Sequence, residues 1–61
     1  LKVLLEGFDD KKGLYFGRSE YQAPDIDTLI YFSSDKEVKV GEFYDCMIVK
    51  VKGYDLYGVT E

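Results

Sequence analysis

The chain has 61 residues, 12 Asp and Glu against 8 Lys and Arg for a net charge of −4, one cysteine and no histidine. At this length, folding buries only roughly 60% of the surface of the extended chain, which leaves little room for a dry catalytic cavity beside a core. A single thiol without histidine excludes an internal disulfide, the usual zinc and iron–sulfur sites, and Ser-His or Cys-His nucleophiles. With 46% hydrophobic and 33% charged residues, the composition predicts one small globular domain.

The acidic balance favours a basic protein as partner over nucleic acid, because nucleic-acid binding draws on Lys and Arg to neutralise phosphates. The unpaired thiol of Cys46 suits a reducing compartment, so we expect a cytoplasmic location. No apolar run is long enough to span a membrane and no signal-peptide pattern is present. Because the first residue is Leu1, we expect the chain to be a piece of a longer protein.

Aromatic and β-branched residues, divided by six glycines, predict short strands in a small barrel or sandwich. The first strand spans 2–8, with Val3 and Leu5 on its apolar face. A hairpin turn at 9–13 follows, where Gly13 takes positive φ. In the second strand, 14–18, an internal Gly17 indicates either a β-bulge or a close backbone approach.

The segment 19–25 reads as a loop because it contains the only proline and lacks periodicity. The third strand, 28–32, is apolar on both faces and is therefore expected to be central. The fourth strand, 43–52, changes phase, which predicts a bulge; its apolar side chains are Tyr44, Cys46 and Ile48 on one parity, then Val49 and Val51 on the other. A glycine turn leads to the last strand, 54–59.

Pairs of carboxylates are the first candidates for chemistry. Asp25 and Asp27 flank one residue at the entrance to a strand, but acid–base work needs a pocket that separates their pKa values, so turn-capping or partner-facing roles are preferred. Asp9 and Asp10 lack the spacing of a calcium loop and predict a solvated hairpin tip. Cys46 lies among apolar neighbours and is expected in the core.

Arginine and tyrosine leave open alternatives. Arg18, the only arginine, could form a structural ion pair with the acidic residues that follow it, or a bidentate contact to a partner. Most of the ten aromatic side chains are expected in the core. The alternative, a stacking platform for single-stranded nucleic acid, stays open for four tyrosines: Tyr15, Tyr21, Tyr54 and Tyr57.

Three blocks in order resemble the C-terminal TRAM domain of the RimO family of ribosomal-protein methylthiotransferases: Gly17-Arg18-Ser19, Ala23-Pro24-Asp25-Ile26-Asp27 and Tyr54-Asp55-Leu56-Tyr57-Gly58. The resemblance runs from Val3 to Val59. It implies that residues 1–61 form one TRAM domain, a five-stranded, antiparallel, OB-like barrel at the C-terminal end of a longer enzyme. It also implies a parent that uses iron–sulfur clusters and S-adenosylmethionine to methylthiolate an aspartate of small-subunit ribosomal protein twelve.

A sister family, the tRNA methylthiotransferases related to MiaB, also ends in a TRAM domain, with RNA as its partner. Those domains tend to be basic and to have a shorter loop after Gly-Arg, whereas this chain is acidic and has the longer segment 19–27. Two departures from the ribosomal-protein modifiers occur: Glu20-Tyr21-Gln22 replaces the common Tyr-Ala-Asp, and Thr28 stands where glycine is common. The ribosomal-protein family remains the better match.

The resulting prediction is a recognition module that docks a basic ribosomal protein beside the catalytic domain of the same chain. No catalytic residue, metal ligand or cofactor is expected within the 61 residues. The predicted partner-binding residues are Arg18, Ser19, Asp25, Asp27, Tyr54 and Asp55. The alternatives are an RNA-binding domain of a tRNA methylthiotransferase and a structural cover for the catalytic domain.

Overall fold

The computed structural model describes residues 1–19 and 29–61, and these ranges contain five strands and no helix. The strands are β1 (Lys2–Asp9), β2 (Leu14–Ser19), β3 (Ile30–Ser33), β4 (Phe43–Lys52) and β5 (Asp55–Thr60). The bounds predicted for β4 are confirmed, and those of the other strands differ by one or two residues. Thr28, the predicted start of the third strand, lies outside the described ranges. β5 begins at Asp55 because Tyr54 belongs to the preceding turn.

The five strands form one sheet in the order β1-β2-β3-β5-β4, which closes as a barrel where β4 pairs with β1. Four of the neighbouring pairs are antiparallel, and β3 with β5 is parallel. The prediction of a wholly antiparallel barrel was therefore wrong at this pair. Strand direction cannot alternate all the way around a closed ring with an odd number of members, so at least one pair of neighbours must be parallel.

The barrel interior is filled by alternate side chains of three strands, as expected for a period of two residues. The fully buried set is Val3 and Leu5 of β1, Ile30 and Phe32 of β3, and Cys46 of β4. Half-buried side chains pack against it: Tyr15, Val38, Tyr44, Ile48 and Leu56. The predictions of an apolar face on the first strand and a core position for Cys46 are confirmed. The third strand, predicted to be central, lies between β2 and β5, and its first three residues are buried.

Two irregularities shape the barrel. The register of β4 against β5 shifts between Ile48 and Lys50, which confirms the predicted bulge. The bulge does not bury the valines beyond it, because Val49 and Val51 remain 62% and 64% exposed. The change of parity therefore predicted the bulge correctly. It gives no information on whether the side chains that follow the bulge are buried.

The second irregularity lies between β1 and β2. Their register shifts between Leu5 and Gly7, so the bulge is on β1 and not at Gly17. Gly17 instead marks the other predicted possibility, a close backbone approach: a Cβ there would overlap the carbonyl oxygen of Leu4. A side chain at position 17 would force the two strands apart.

The β1–β2 turn is held by one carboxylate. Oδ1 of Asp9 accepts hydrogen bonds from the backbone N–H groups of Lys11 and Lys12 at 2.9 and 3.2 Å. Gly13 closes the turn with a φ of 67°, a left-handed conformation that glycine adopts without steric cost. This arrangement confirms the predicted hairpin tip. Across both described ranges, no helix of the length and apolarity needed to cross a membrane occurs.

Candidate interaction surface on the outer face

Three aromatic side chains form a row across the outside of the barrel, called here the outer aromatic row: Phe16 of β2, Tyr31 of β3 and Tyr57 of β5. They are direct cross-strand partners, Phe16 with Tyr31 and Tyr31 with Tyr57. Their sequence neighbours point inward, so the alternation of each strand places all three rings outside. The Tyr31 and Tyr57 rings stack at 20° with centroids 5.4 Å apart.

Different residues border the two ends of the outer aromatic row. At one end the Phe16 ring lies across Gly7 of β1, where a Cβ would come within 2.7 Å of the ring tip. At the other end Tyr57 is paired with Lys50 of β4. The missing side chain at Gly7 thus makes room for Phe16, while the Tyr57 end of the row borders a lysine.

A lysine from the β1–β2 turn reaches over the row. Nζ of Lys12 lies 5.0 Å from the centroid of Tyr31 and 5.7 Å from that of Tyr57, within the range of cation–π interactions. It also donates a hydrogen bond to Oη of Tyr57 at 3.3 Å. This hydrogen bond, followed by the charge interaction with Tyr57, raises the pKa of Lys12. The outer face therefore already accommodates a cation against its paired rings.

The predicted partner-binding residues Arg18, Tyr54 and Asp55 lie at one end of this face. Gly17 pairs with Ile30, and Ile30 with Leu56, so Arg18 and Asp55 occupy the same end of the barrel, two strands apart. That separation is about 10 Å at the usual spacing of neighbouring strands. Tyr54 is 88% exposed in the turn before β5.

Arg18 forms an ion pair, but with a partner from another strand. Its Nε lies 3.3 Å from Oε1 of Glu6 on β1, and both side chains are partly exposed. Of the two open alternatives, the structure thus contains the intramolecular ion pair, made across the β1–β2 bulge. The acidic residues expected as its partners, Glu20, Asp25 and Asp27, lie outside the described ranges.

The remaining predicted residues have different positions. Ser19 is half-buried at the end of β2, opposite Val3. Tyr15, one of the tyrosines left open as a stacking residue, packs against the core and lies 5.0 Å from Phe8, centroid to centroid. Tyr21 is outside the described ranges. Among the described tyrosines left open as stacking residues, Tyr57 is the one that belongs to the outer aromatic row.

Sequence reasoning missed Lys12 and Tyr31 as members of a surface cluster. A signal for Tyr31 exists, since it lies between the inward-facing Ile30 and Phe32 and so has outward parity. Its low exposure, 8%, results from the Tyr57 ring and the Lys12 side chain above it. Lys12 carries no such signal, because only the closed barrel brings the turn to the ring pair.

The chemistry available on this surface is recognition by charge and ring contact. Within residues 1–19 and 29–61, no three His, Cys, Asp or Glu side chains are grouped as a metal site. Cys46 is fully buried, and burial raises the pKa of its thiol, which disfavours the reactive thiolate. The outer face instead combines aromatic area with cations and carboxylates, among them Lys12, Lys50 and Asp55.

A closed five-stranded sheet of this kind places the chain in the class of small β-barrel domains. The chain belongs to the TRAM domain family, whose match covers residues 1–60. It is 48% identical over 58 residues to the ribosomal protein uS12 methylthiotransferase RimO of Thermoanaerobacter sp. (strain X514) and 50% identical over 59 residues to that of Clostridium kluyveri. These matches cover 95% and 97% of this chain.

A third relative, the RimO protein of Acetivibrio thermocellus, is 40% identical over 57 residues. The predicted resemblance to the TRAM domain of the RimO family is thus confirmed. The chain spans 13% of the length of each of these three relatives. Most of each relative therefore lies outside the region that this chain matches.

Proposed function

We propose that this chain is the substrate-recognition module of a cytoplasmic methylthiotransferase that modifies an aspartate of ribosomal protein uS12. The observation that carries the proposal is the similarity over nearly the whole chain to proteins named for that activity. The module docks the basic ribosomal protein and raises the effective concentration of its target loop at the catalytic domain. The chemistry takes place elsewhere in the parent enzyme.

The charge of the domain supports a basic protein as the partner. A net charge of −4 on 61 residues attracts a cationic protein and opposes an RNA backbone. In five-stranded barrels of the OB type, the face of the second and third strands binds oligonucleotides and oligosaccharides, so it is the face accessible to a partner. Phe16, Arg18 and Tyr31 lie on that face here, with Asp55 and Tyr57 on the adjoining strand.

The cofactors of such a parent do not fit this chain. Iron–sulfur clusters are held by several cysteine thiolates, and the only cysteine, Cys46, is buried in the barrel core. We therefore assign the iron–sulfur clusters and S-adenosylmethionine to other parts of the parent. The role of this domain is to bind and orient the protein substrate.

Titration of the isotope-labelled chain with purified uS12, and separately with tRNA, tests the proposal by NMR. We expect uS12 to shift resonances of Arg18, Asp55 and the segment 19–27, and we expect the affinity to fall as salt is added, because exposed charges are screened. Shifts produced only by tRNA would contradict the proposal and favour the RNA-binding alternative.

A pair of matched variants separates specific docking from general charge. Asp55→Asn removes a carboxylate from the end of the barrel where we expect the partner to dock. Asp35→Asn removes a carboxylate from the turn after β3, at the opposite end of β3. We expect Asp55→Asn to weaken uS12 binding about two- to fivefold, as for one exposed ion pair, and Asp35→Asn to have less effect. Equal losses in both variants would argue for non-specific attraction.

A second candidate role, contact with the catalytic domain of the same chain, is favoured by β4. Four of its apolar side chains, Phe43, Met47, Val49 and Val51, are between 46% and 64% exposed. Contiguous exposed apolar surface marks an interaction site, and Phe43 and Met47 share the outward parity of β4, opposite to that of the core residue Cys46. This role is compatible with substrate docking, because the outer aromatic row lies on β2, β3 and β5.

Polar substitution on β4 tests this second role. Val49→Thr should leave the free energy of unfolding of the 61-residue chain within about 0.5 kcal/mol of the original, as for other exposed sites. In the full-length parent, the same change should lower the temperature at which the TRAM and catalytic domains unfold together. An unchanged transition in the parent would exclude Val49 from the interface.

A further inference from the structure

The stacked rings of Tyr31 and Tyr57 form a cation-binding site, called here the Tyr31–Tyr57 seat. The side chain of Lys12 occupies it. Nζ of Lys12 lies near both ring centroids and donates to Oη of Tyr57. Lys12 extends from an exposed turn and is itself exposed. Its side chain can therefore leave the rings without disturbing the barrel core.

We propose that the Tyr31–Tyr57 seat binds an arginine side chain of the basic protein partner, which displaces Lys12. This proposal rests on the proposed function, because it assigns a particular contact within the docking of a basic protein. It adds a residue-level site that the similarity to methylthiotransferases does not provide. Lys12 is an internal occupant of this site, with its Nζ near the hydroxyl end of Tyr57, and the partner displaces it.

Arginine fits this seat better than lysine does. A guanidinium is planar, stacks on aromatic rings and is more weakly hydrated than an ammonium ion, and it is the commoner partner in cation–π contacts. It also has five N–H donors, so that it can lie against the rings and still donate to Oη of Tyr57 and to a carboxylate. The ammonium group of Lys12 also contacts the rings and donates to Oη of Tyr57, but it has no planar surface that could stack on a ring.

Two carboxylates and one lysine lie near the seat. Asp55 is two residues before Tyr57 on β5 and so shares its outward parity. Asp9, at the end of β1, interacts with Lys12 through its charge and raises its pKa. Lys50, the cross-strand partner of Tyr57, adds a positive charge beside the seat, so the local charges are mixed. The two carboxylates stabilise a guanidinium and repel the phosphates of an RNA strand, and the net charge of −4 acts in the same direction.

The test uses the 61-residue chain and three defined probes: a capped pentapeptide with two arginines, its lysine counterpart, and single-stranded hexauridylate. The reporters are the ring protons of Tyr31 and Tyr57 and the ε-methylene protons of Lys12, whose chemical shifts respond to the nearby rings. We expect the arginine peptide to shift the ring protons and to move the Lys12 resonances toward those of a free lysine side chain. The lysine peptide should do so more weakly at equal concentration.

Variants separate the seat from general charge. Lys12→Ala empties the seat and should tighten binding of the arginine peptide more than Lys11→Ala does, although both remove one positive charge from the same turn. Tyr57→Leu keeps apolar volume but removes the ring, and should weaken binding about two- to fivefold, the size of an exposed cation–π contact. Tyr57→Phe keeps the ring and should lose less, and dispersed amide resonances confirm that each variant is folded.

Three results would overturn the seat: peptide shifts that avoid Tyr31 and Tyr57, equal effects of the Lys11 and Lys12 variants, or ring shifts produced by hexauridylate and not by the peptide. Measurement of uS12 binding keeps this failure distinct from that of the proposed function. If uS12 binds Tyr57→Leu as tightly as the original chain, the seat is wrong but docking stands. If the arginine peptide binds the seat and uS12 does not bind at all, the proposed function is wrong.

Discussion

Replacement of Gly17 by alanine tests whether close contact between β1 and β2 limits the stability of the barrel. The added Cβ would lie 3.0 Å from Cγ1 of Val3 and would overlap the carbonyl of Leu4. A carbonyl group of the backbone cannot turn aside as a side chain can, so the two strands must separate. Their separation weakens the hydrogen bonds that flank the position.

The magnitude follows from opposing effects. Overpacking of a well-packed site costs about 1 to 3 kcal/mol, and a backbone clash belongs at the upper end of that range. Alanine is favoured over glycine within a strand by about 0.5 to 1 kcal/mol, which offsets part of the cost. The net loss expected is about 2 kcal/mol, against a total stability of about 3 to 9 kcal/mol for a domain of this size.

Urea unfolding followed by tyrosine fluorescence and circular dichroism measures this loss. The free energy of unfolding of a small domain falls by about 1 kcal/mol per molar urea, so the midpoint of the urea transition should fall by about 2 M. Gly7→Ala is the matched control on the same strand pair, because its Cβ meets only the ring tip of Phe16. We expect a smaller loss there, since the ring can move.

A Gly17→Ala variant as stable as the original chain would refute the argument, since it would mean that β1 and β2 do not approach as closely as described. A loss at Gly7→Ala equal to that at Gly17→Ala would also contradict it. In that case the cost would come from the glycines of the bulge region in general, and not from contact with the Leu4 carbonyl.

Three further predictions concern single sites. Ile30→Val should lower the free energy of unfolding by about 0.5 to 1.5 kcal/mol because Ile30 is buried, while Val49→Ala should change it by less than about 0.5 kcal/mol; equal effects in urea titrations would contradict the assignment of core and surface. A double-mutant cycle on Arg18 and Glu6 should give a coupling of about 0.2 to 1 kcal/mol that falls with salt, and zero coupling at low salt would show that the ion pair does not contribute. Burial raises the pKa of Cys46 above its ordinary value of 9.0. Above pH 9.0 the unfolded chain therefore loses the thiol proton before the folded chain does, and the free energy of unfolding falls as the pH rises toward the folded pKa. Cys46→Ala should remove this part of the pH dependence, and identical pH profiles of the two chains would contradict the prediction.

Local pattern was sufficient to predict most of the strands. Alternation in β1 and the apolar run of β3 identify the buried side chains, because the two faces of a strand alternate with a fixed period. The change of parity in β4 likewise located a bulge. The exposure of Val49 and Val51 was not predictable in this way, because parity gives the direction of a side chain and not what covers it.

The candidate site was predicted in part. The sequence placed Arg18 and Asp55 among the partner-facing residues, and the barrel brings them to one end of the same outer face. It did not identify Glu6 as the ion-pair partner of Arg18, because that contact depends on the register of β1 against β2. Asp25 and Asp27 stay predicted partner-binding residues that the described ranges do not test.

By itself, the sequence determined that this is a small acidic all-β domain, because composition and strand period are properties of neighbouring residues. Three short motifs added the resemblance to the TRAM family, which the family match confirms. Only the tertiary structure decided that β3 and β5 run parallel and that Lys12 lies over Tyr31 and Tyr57. Both features join segments that are distant along the chain. They depend on how the ring of strands closes, and no local pattern encodes that closure.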